Sequence, residues 1–403
     1  MERPGTGLYV FPSDLLDEGV DAVRRRSDEL GAGTLVVAVA YHQARDVVPH
    51  AGRKPRLRYR EDGVFFEPDP DRWTGTTLRP RVQPQDQRDA LAALLATGAP
   101  VEAWTVFLHN TSLGEEHPRL ASETCFGDRL LSNLCPSNPE AAGYADALAA
   151  DIAARGLDIV AEALSGQTFA HGHHHERSFS PVSELDEAVL GICFCEHCTR
   201  AGTSAGLDVG RVAAAARVRV QSAFAGAAGR PATLEALAET LGGDVLAYLS
   251  TQQQTVTALA DRLARTVRGH GRTLSYMDLT GAVLGYGDGA PSGPAAASQG
   301  WRIAVDLSSV APLTDSCSVL GYTVDTTRLH ADVASYRAAV GGSRLRVVLR
   351  PGWPDTSSRA HLRDKVRAVL DAGADQVDFY TYGMYDQEVL DRIPYAMDGL
   401  SVP

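Results

Sequence analysis

Eight short apolar runs recur along the chain, separated by polar or Gly/Pro-rich stretches and, in most cases, by a helical period. They are LYVFP (8–12), TLVVAVAY (34–41), VEAWTVFLH (101–109), LDIVAEAL (157–164), TLSYMDL (273–279), CSVLGYTV (317–324), RLRVVLRP (344–351) and QVDFYTYG (376–383). Their hydrophobicity is near-continuous rather than alternating, the pattern of strands buried on both faces of a parallel sheet. Helical periods accompany them: PEAAGYADALAADIAAR after the third, TVTALADRLARTVRGHG before the fifth, RLHADVASYRAAVGG after the sixth and SSRAHLRDKVRAVLDAG after the seventh. Eight β/α alternations predict an α/β fold of the (β/α)8 TIM barrel type, a single domain over 1–403. A doubly wound open sheet is the competing architecture, but it ordinarily carries a phosphate-binding glycine turn, and no GxGxxG follows a strand here.

Long insertions interrupt the alternation after strands 2, 4 and 5. Residues 43–90 are rich in Arg and Pro. Residues 165–250 hold a His-rich segment, a cysteine cluster and Ala-rich helix, and residues 281–300 are rich in Gly, Ala, Ser and Pro. All three follow strand C-termini, the face on which barrel enzymes carry their chemistry. The third reads equally as a lid or as a plain flexible loop.

Composition narrows the functional classes. A net charge of −12 leaves no basic face for a nucleic-acid backbone. No run of eighteen apolar residues exists and the N-terminal stretch lacks a signal-peptide pattern, so a cytoplasmic protein without a membrane partner is expected. The two lysines are Lys54, in a basic loop, and Lys365, in the period of an amphipathic helix, which leaves almost no candidate for Schiff-base chemistry. No GxxxxGK[ST] loop is present, so nucleotide-driven chemistry is also set aside.

Three of the six cysteines lie in GICFCEHCTRAG as Cys193, Cys195 and Cys198. Neighbours so close in sequence do not readily reach disulfide geometry, and a shared metal ion is the better reading. A closed zinc site needs a fourth ligand, for which Cys135 in SNLCPSNPE is the first choice and Cys125 and His197 are rivals. Cys317 lies within a strand run and reads as a small buried hydrophobe.

The order CPSNPE, helix, a strand bearing Glu162, then CFCEHC resembles the catalytic barrel of the family 42 β-galactosidases over residues 130–200. The resemblance implies a structural zinc held by Cys135, Cys193, Cys195 and Cys198, and a general acid/base at Glu162. Two departures stand out. The family's Asn before that Glu is Ala161 here, and its nucleophilic Glu at the end of strand 7 is replaced by a segment presenting Arg350 and Trp353. Because the sequence closes on the eighth βα unit, the family's trimerisation and C-terminal domains are expected to be missing.

A glycosidase needs a second carboxylate, about 5–5.5 Å from the acid for retention and roughly 6.5–9.5 Å for inversion. Asp278, ending strand 5, is the first candidate; Glu176 in the His-rich loop and Asp46 after strand 2 follow. The segment FAHGHHHERSFSP supplies His171, His173, His174 and His175 beside Glu176, as hydroxyl ligands, proton shuttles or holders of a second divalent metal, or simply as a polar loop. His42, Arg45, Asp46, His109, Asn110, Tyr322, Trp353 and Tyr382 lie near strand ends and suit a sugar, whose apolar ring faces are edged by hydroxyls. Arg350 reads either as the partner of an anionic substrate group or as a salt bridge to Glu162 or Asp278.

The leading expectation is therefore a carbohydrate-active hydrolase. The alternatives are a metal-dependent sugar isomerase, epimerase or lyase working through the His-rich loop, and a degenerate barrel that binds sugar without turning it over. Expected partners are a small-molecule carbohydrate or glycoside, anionic in one reading, and further copies of the chain as a homo-oligomer.

Overall fold

The computed structural model describes residues 5–49, 56–169, 179–180, 182–284 and 289–400. Eight strands, β1 to β8, run Gly5–Val10, Thr34–Tyr41, Val101–Val106, Asp158–Glu162, Leu274–Asp278, Ser316–Leu320, Leu345–Leu349 and Gln376–Phe379. Each pairs in parallel with the next, and β8 pairs with β1 in the register Gly5↔Gln376 to Leu8↔Phe379. The sheet is thus a closed parallel barrel of eight strands surrounded by helices, the predicted TIM fold. Each sequence-predicted strand coincides with one barrel strand.

Every residue of β5 to β8 is buried, as near-continuous hydrophobicity requires. The barrel interior is nonetheless partly polar. Arg346 on β7 reaches Glu102 on β3 with two hydrogen bonds, of 3.0 and 2.7 Å, and donates to Asp378 on β8 at 3.0 Å. The other oxygen of Asp378 accepts from Gly7 N and Gln376 Nε2, both at 2.7 Å. Every charge is hydrogen-bonded, the condition for burying it. Glycine is required at position 7, where a Cβ would stand 2.6 Å from Asp378 Oδ1.

Helices follow the strands as the periodicity predicts. Pro139–Ala154, after β3, starts where Asn138 Oδ1 accepts from the Glu140 and Ala141 amides and Pro139 supplies a pre-set φ. Asp244–Gly269 precedes β5, Thr326–Val340 follows β6 and Arg359–Asp371 follows β7. The insertion after β2 folds into a hairpin, Ala44–Val48 against Arg56–Arg60, pinned to the helix Pro12–Glu18 by Arg58, which pairs with Asp14 and Asp17. A second hairpin, Ala121–Glu123 against Arg129–Leu134, adds an insertion after β3 that the sequence pattern did not disclose. The helices Glu184–Gly191, Glu196–Ser204, Val209–Phe224 and Leu234–Leu241 build a satellite apolar cluster around the four cysteines, separate from the barrel core. Among the described residues no helix is long and apolar enough to cross a membrane.

Candidate active site

The register decides which side chains enter the barrel. Glu102, Trp104 and Val106 stand beside Asp158, Val160 and Glu162, so Trp104 and Glu162 share the inner face that holds Arg346 and Asp378. Glu162 closes β4 at the C-terminal mouth, and Trp104 Nε1 donates to its Oε2 at 2.5 Å. Glu162 as a whole residue is half-buried. Burial pushes its pKa up to about 7 from the ordinary 4.5, against the opposing pull of the Trp104 bond. The next residue, Ala163, takes φ of +56°, uncommon for a residue with a Cβ. Phe107 N and Leu108 N hold the Glu162 and Ala163 carbonyls at 3.0 and 3.1 Å, which fixes this turn.

Aromatic rings pave the recess. Trp104 packs against Tyr9, Tyr41 and Tyr380 with centroids 5.1, 4.5 and 5.6 Å away, and Tyr322 lies 6.0 Å from Tyr380. Tyr41 stacks on His42 at 4.3 Å, and His42 on His109 at 4.4 Å. Tyr380 and Thr381 are joined by a cis peptide bond. Burial pushes the hydroxyls of Tyr41 and Tyr380 up, and the charges of Asp46 and Glu162 act on Tyr380 in the same direction.

Asp46 comes from the hairpin after β2. It is buried, and Arg60 Nη1 lies 3.0 Å from its Oδ2. Burial pushes the Asp46 carboxyl up, and Arg60 works against that shift. Arg60 itself stands 3.6 Å over the Phe11 ring. Arg45, next to Asp46 on the alternate face of the hairpin, is exposed.

Several expected residues lie elsewhere. Asp278 is on the outer face of β5: its neighbours Tyr276 and Ala161 are paired in register, and Ala161 alternates with the inward Glu162. Its carboxylate accepts from Thr280 N at 3.2 Å and from Thr280 Oγ1 at 2.9 Å. It faces the helix layer, and the expectation that it partners Glu162 is corrected. Asn110 is a helix cap, its Oδ1 accepting from Leu113 N at 2.9 Å. Tyr382 is buried, and its hydroxyl donates to Glu18 at 2.7 Å. Trp353 stands at the end of β7 with 82% of its surface exposed. Glu176, His171, His174 and His175 lie outside the described residues. Arg350 pairs with Asp355 at 2.5 Å, not with Glu162 or Asp278.

Sequence reasoning did not single out Trp104, Tyr41 and Arg60, which contact Glu162, Trp104 and Asp46 respectively. For Trp104 a signal existed: Glu102, Trp104 and Val106 alternate along one strand face.

The cysteine cluster forms as expected. The sulfurs of Cys135, Cys193, Cys195 and Cys198 lie within 4.8 Å of one another, all buried, a group able to hold one metal ion. Cys135 Sγ lies 3.5, 3.6 and 3.8 Å from those of Cys198, Cys195 and Cys193. Supporting contacts orient the ligands: Glu123 N lies 3.4 Å from Cys193 Sγ, and the Cys193 carbonyl accepts from Tyr248 Oη at 2.7 Å and Gln252 Nε2 at 2.8 Å. The cluster ties the segment after β3 to the helices after β4. Cys125, Cys317 and His197 are not part of it.

No protein-family model matches the chain, and no curated protein matches it in sequence. Solved structures do resemble it. A β-galactosidase from Bacillus circulans sp. alkalophilus has a TM-score of 0.57 at 12% identity, over 98% of this chain and 56% of that one. A β-galactosidase from the psychrophilic Marinomonas ef1 has a TM-score of 0.53 at 14% identity, over 98% and 59%. The α-L-fucosidase isoenzyme 2 from Paenibacillus thiaminolyticus has a TM-score of 0.53 at 11% identity, over 98% and 49%. The chain thus spans between about half and three-fifths of the length of these glycosidases, and at such identity the likeness is one of fold.

Proposed function

We propose that the chain is a glycoside hydrolase in which Glu162 is the general acid/base and Asp46 the second carboxylate. The observation that carries the reading is Glu162 itself: a carboxyl at the end of β4, oriented by Trp104, protonated up to about pH 7 and set among aromatic faces. A general acid works best with a pKa near the operating pH. Protonated Glu162 would give its proton to the glycosidic oxygen as the bond to the anomeric carbon breaks. The positive charge growing on the sugar ring would face the Asp46 carboxylate, while Tyr41 and Tyr380 offer surfaces for its apolar face. Ionised Glu162 would then take a proton from the incoming water as the water oxygen bonds to the anomeric carbon, which releases the free sugar and restores the acid.

The glycosidase names of the structural neighbours support this class, and the strand-4 Glu with four cysteines favours a family 42-like scaffold whose second carboxylate has moved. Arg350 occupies the end of β7, so the hairpin after β2 takes over that role. We assign zinc to the cysteine group. Four sulfurs about 2.3 Å from a tetrahedral zinc stand about 3.8 Å apart, and the separations from Cys135 run from 3.5 to 3.8 Å. An all-thiolate set is closed, which makes its role structural. Reduced, metal-bound cysteines fit a cytoplasmic setting.

The test is turnover of a panel of nitrophenyl glycosides. Glu162→Gln is expected to lower kcat by about 10²–10⁴-fold while sugar binding persists. A Gln variant that hydrolyses as fast as the parent would remove Glu162 from the mechanism.

A further inference from the structure

Away from the recess, two buried polar side chains face each other with their hydrogen-bonding capacity unmet. Arg302 Nε and Gln167 Oε1 are buried without a hydrogen-bond partner, in residues only 7% and 8% exposed. Among the described residues no carboxylate forms an ion pair with Arg302. Gln167 follows β4, and Arg302 lies on the 3-10 helix Ala296–Ile303 in the insertion after β5. Two glycines let their surroundings close up. A Cβ on Gly166 would stand 3.2 Å from Ile303 O, and one on Gly191, ending the helix Glu184–Gly191, 3.1 Å from Thr168 Cα.

Both side chains line one cavity between these segments, whose other end is bordered by Cys193 and Cys198. It leaves about 20 Å³ for the centres of water-sized molecules. That exceeds the ~10–15 Å³ that one water needs and falls far below the ~300–1,000 Å³ of pockets that hold whole organic ligands. None of Tyr9, Trp104, Glu162 and Tyr380 lines it, so the cavity and the recess are built from different side chains.

A guanidinium out of water is costly unless it is paired and hydrogen-bonded. Burial pulls the Arg302 pKa down, and Glu187 and Glu184 of the neighbouring helix oppose this through space. Neither carboxylate supplies Arg302 with a contact, and an oxygen at hydrogen-bond distance would interact more strongly. The unmet groups define what would satisfy them. Arg302 offers donors in a planar fork suited to an oxyanion. Gln167 Oε1 only accepts, so it calls for an O–H on the same ligand. Water would meet both hydrogen bonds but not the charge.

We propose that this cavity binds a small oxyanion that carries a proton of its own, bicarbonate or hydrogen phosphate, held by Arg302 and Gln167. The ion ties the segment after β4 to the insertion after β5. The inference stands apart from the glycoside reading of the recess.

The experiment follows the melting temperature of the full chain with sodium bicarbonate, phosphate, nitrate, sulfate and chloride at equal ionic strength and one neutral pH. Calorimetric titration then gives the affinity of each ion that shifts it. Bicarbonate or phosphate is expected to raise the midpoint by about 2 °C at a hundredfold excess over its dissociation constant. It should bind at least about tenfold more tightly than nitrate or sulfate, which leave Gln167 without a donor. A response to bicarbonate identifies the planar ion, a response to phosphate the tetrahedral one. Arg302→Met deletes a charge that has no ion pair, so it should fold, and it is expected to abolish the response. Gln167→Leu should keep binding and erase the preference over nitrate and sulfate. Glu187→Gln removes a repelling charge and should tighten binding several-fold. No response beyond the chloride control, or an Arg302→Met protein that responds like its parent, leaves water as the occupant and overturns the proposal. Equal binding of nitrate and sulfate overturns the proton-bearing ligand. Glycoside turnover bears on none of these outcomes.

Discussion

Glu162 makes a prediction that needs no substrate. Its pKa is raised from 4.5 to about 7 in the folded chain, chiefly by burial. A raised carboxyl means that folding disfavours the ionised form. Well below 4.5 the group is neutral in both states and has no effect on stability. Between 4.5 and about 7 the unfolded chain ionises first, and stability falls as pH rises; above about 7 the loss is constant. At about 1.36 kcal/mol per pH unit the full loss is about 3 kcal/mol. Integrated between pH 5 and pH 8 it is about 2.5 kcal/mol, an upper figure because Glu162 as a whole residue is half-buried. Glu162→Gln cannot ionise and keeps an acceptor for Trp104. Its stability relative to the parent should therefore rise by about 2 kcal/mol from pH 5 to pH 8. Urea unfolding of both proteins at the two pH values, with m-values compared, measures this difference. A relative stability that stays flat across that range would show that the carboxyl titrates normally, and the general-acid argument would lose its basis.

Other predictions follow from single contacts. Trp104→Phe removes the bond that pulls the Glu162 pKa down, so the basic limb of the rate profile should move above its parental position; a shift to lower pH would contradict the assigned geometry. The purified chain should contain one metal ion, and Cys135→Ser should lose most of it and melt at lower temperature, whereas Cys317→Ser should keep it. Asp46→Asn should slow glycoside turnover at least about tenfold, while Asp278→Asn, turned toward the helix layer, should leave it within about twofold.

Much of the molecule is legible in its one-dimensional pattern. Strands buried on both faces must be apolar nearly throughout, and all eight announce themselves. Three cysteines within six residues favour a shared ion over disulfides, and the fourth came from a segment at a strand end on the same barrel face. Glu162 could be singled out because it is a carboxylate closing an otherwise apolar run.

The same continuous burial hides what the site needed next. A strand apolar on both faces carries no alternation to show which side faces in, so Asp278 and Glu162 looked equivalent. Only the register of β4 and β5 separates the inner from the outer face. Asn110 and Tyr382 have chemistry that suits sugars, and only the tertiary structure shows that Asn110 also caps a helix and that Tyr382 donates to Glu18. Lys365 fitted an amphipathic helix, and its burial against Asp355 depends on how that helix docks.

Local composition thus set the periodicity, the number of strands and the metal-ligand motif, because those depend on residues near one another in sequence. Barrel closure decided the rest. It joins β1 to β8 and brings a hairpin after β2, Tyr380 after β8 and Glu162 on β4 to one recess. Convergence of groups more than 200 residues apart is a property of the closed sheet, and no short stretch of the chain contains it.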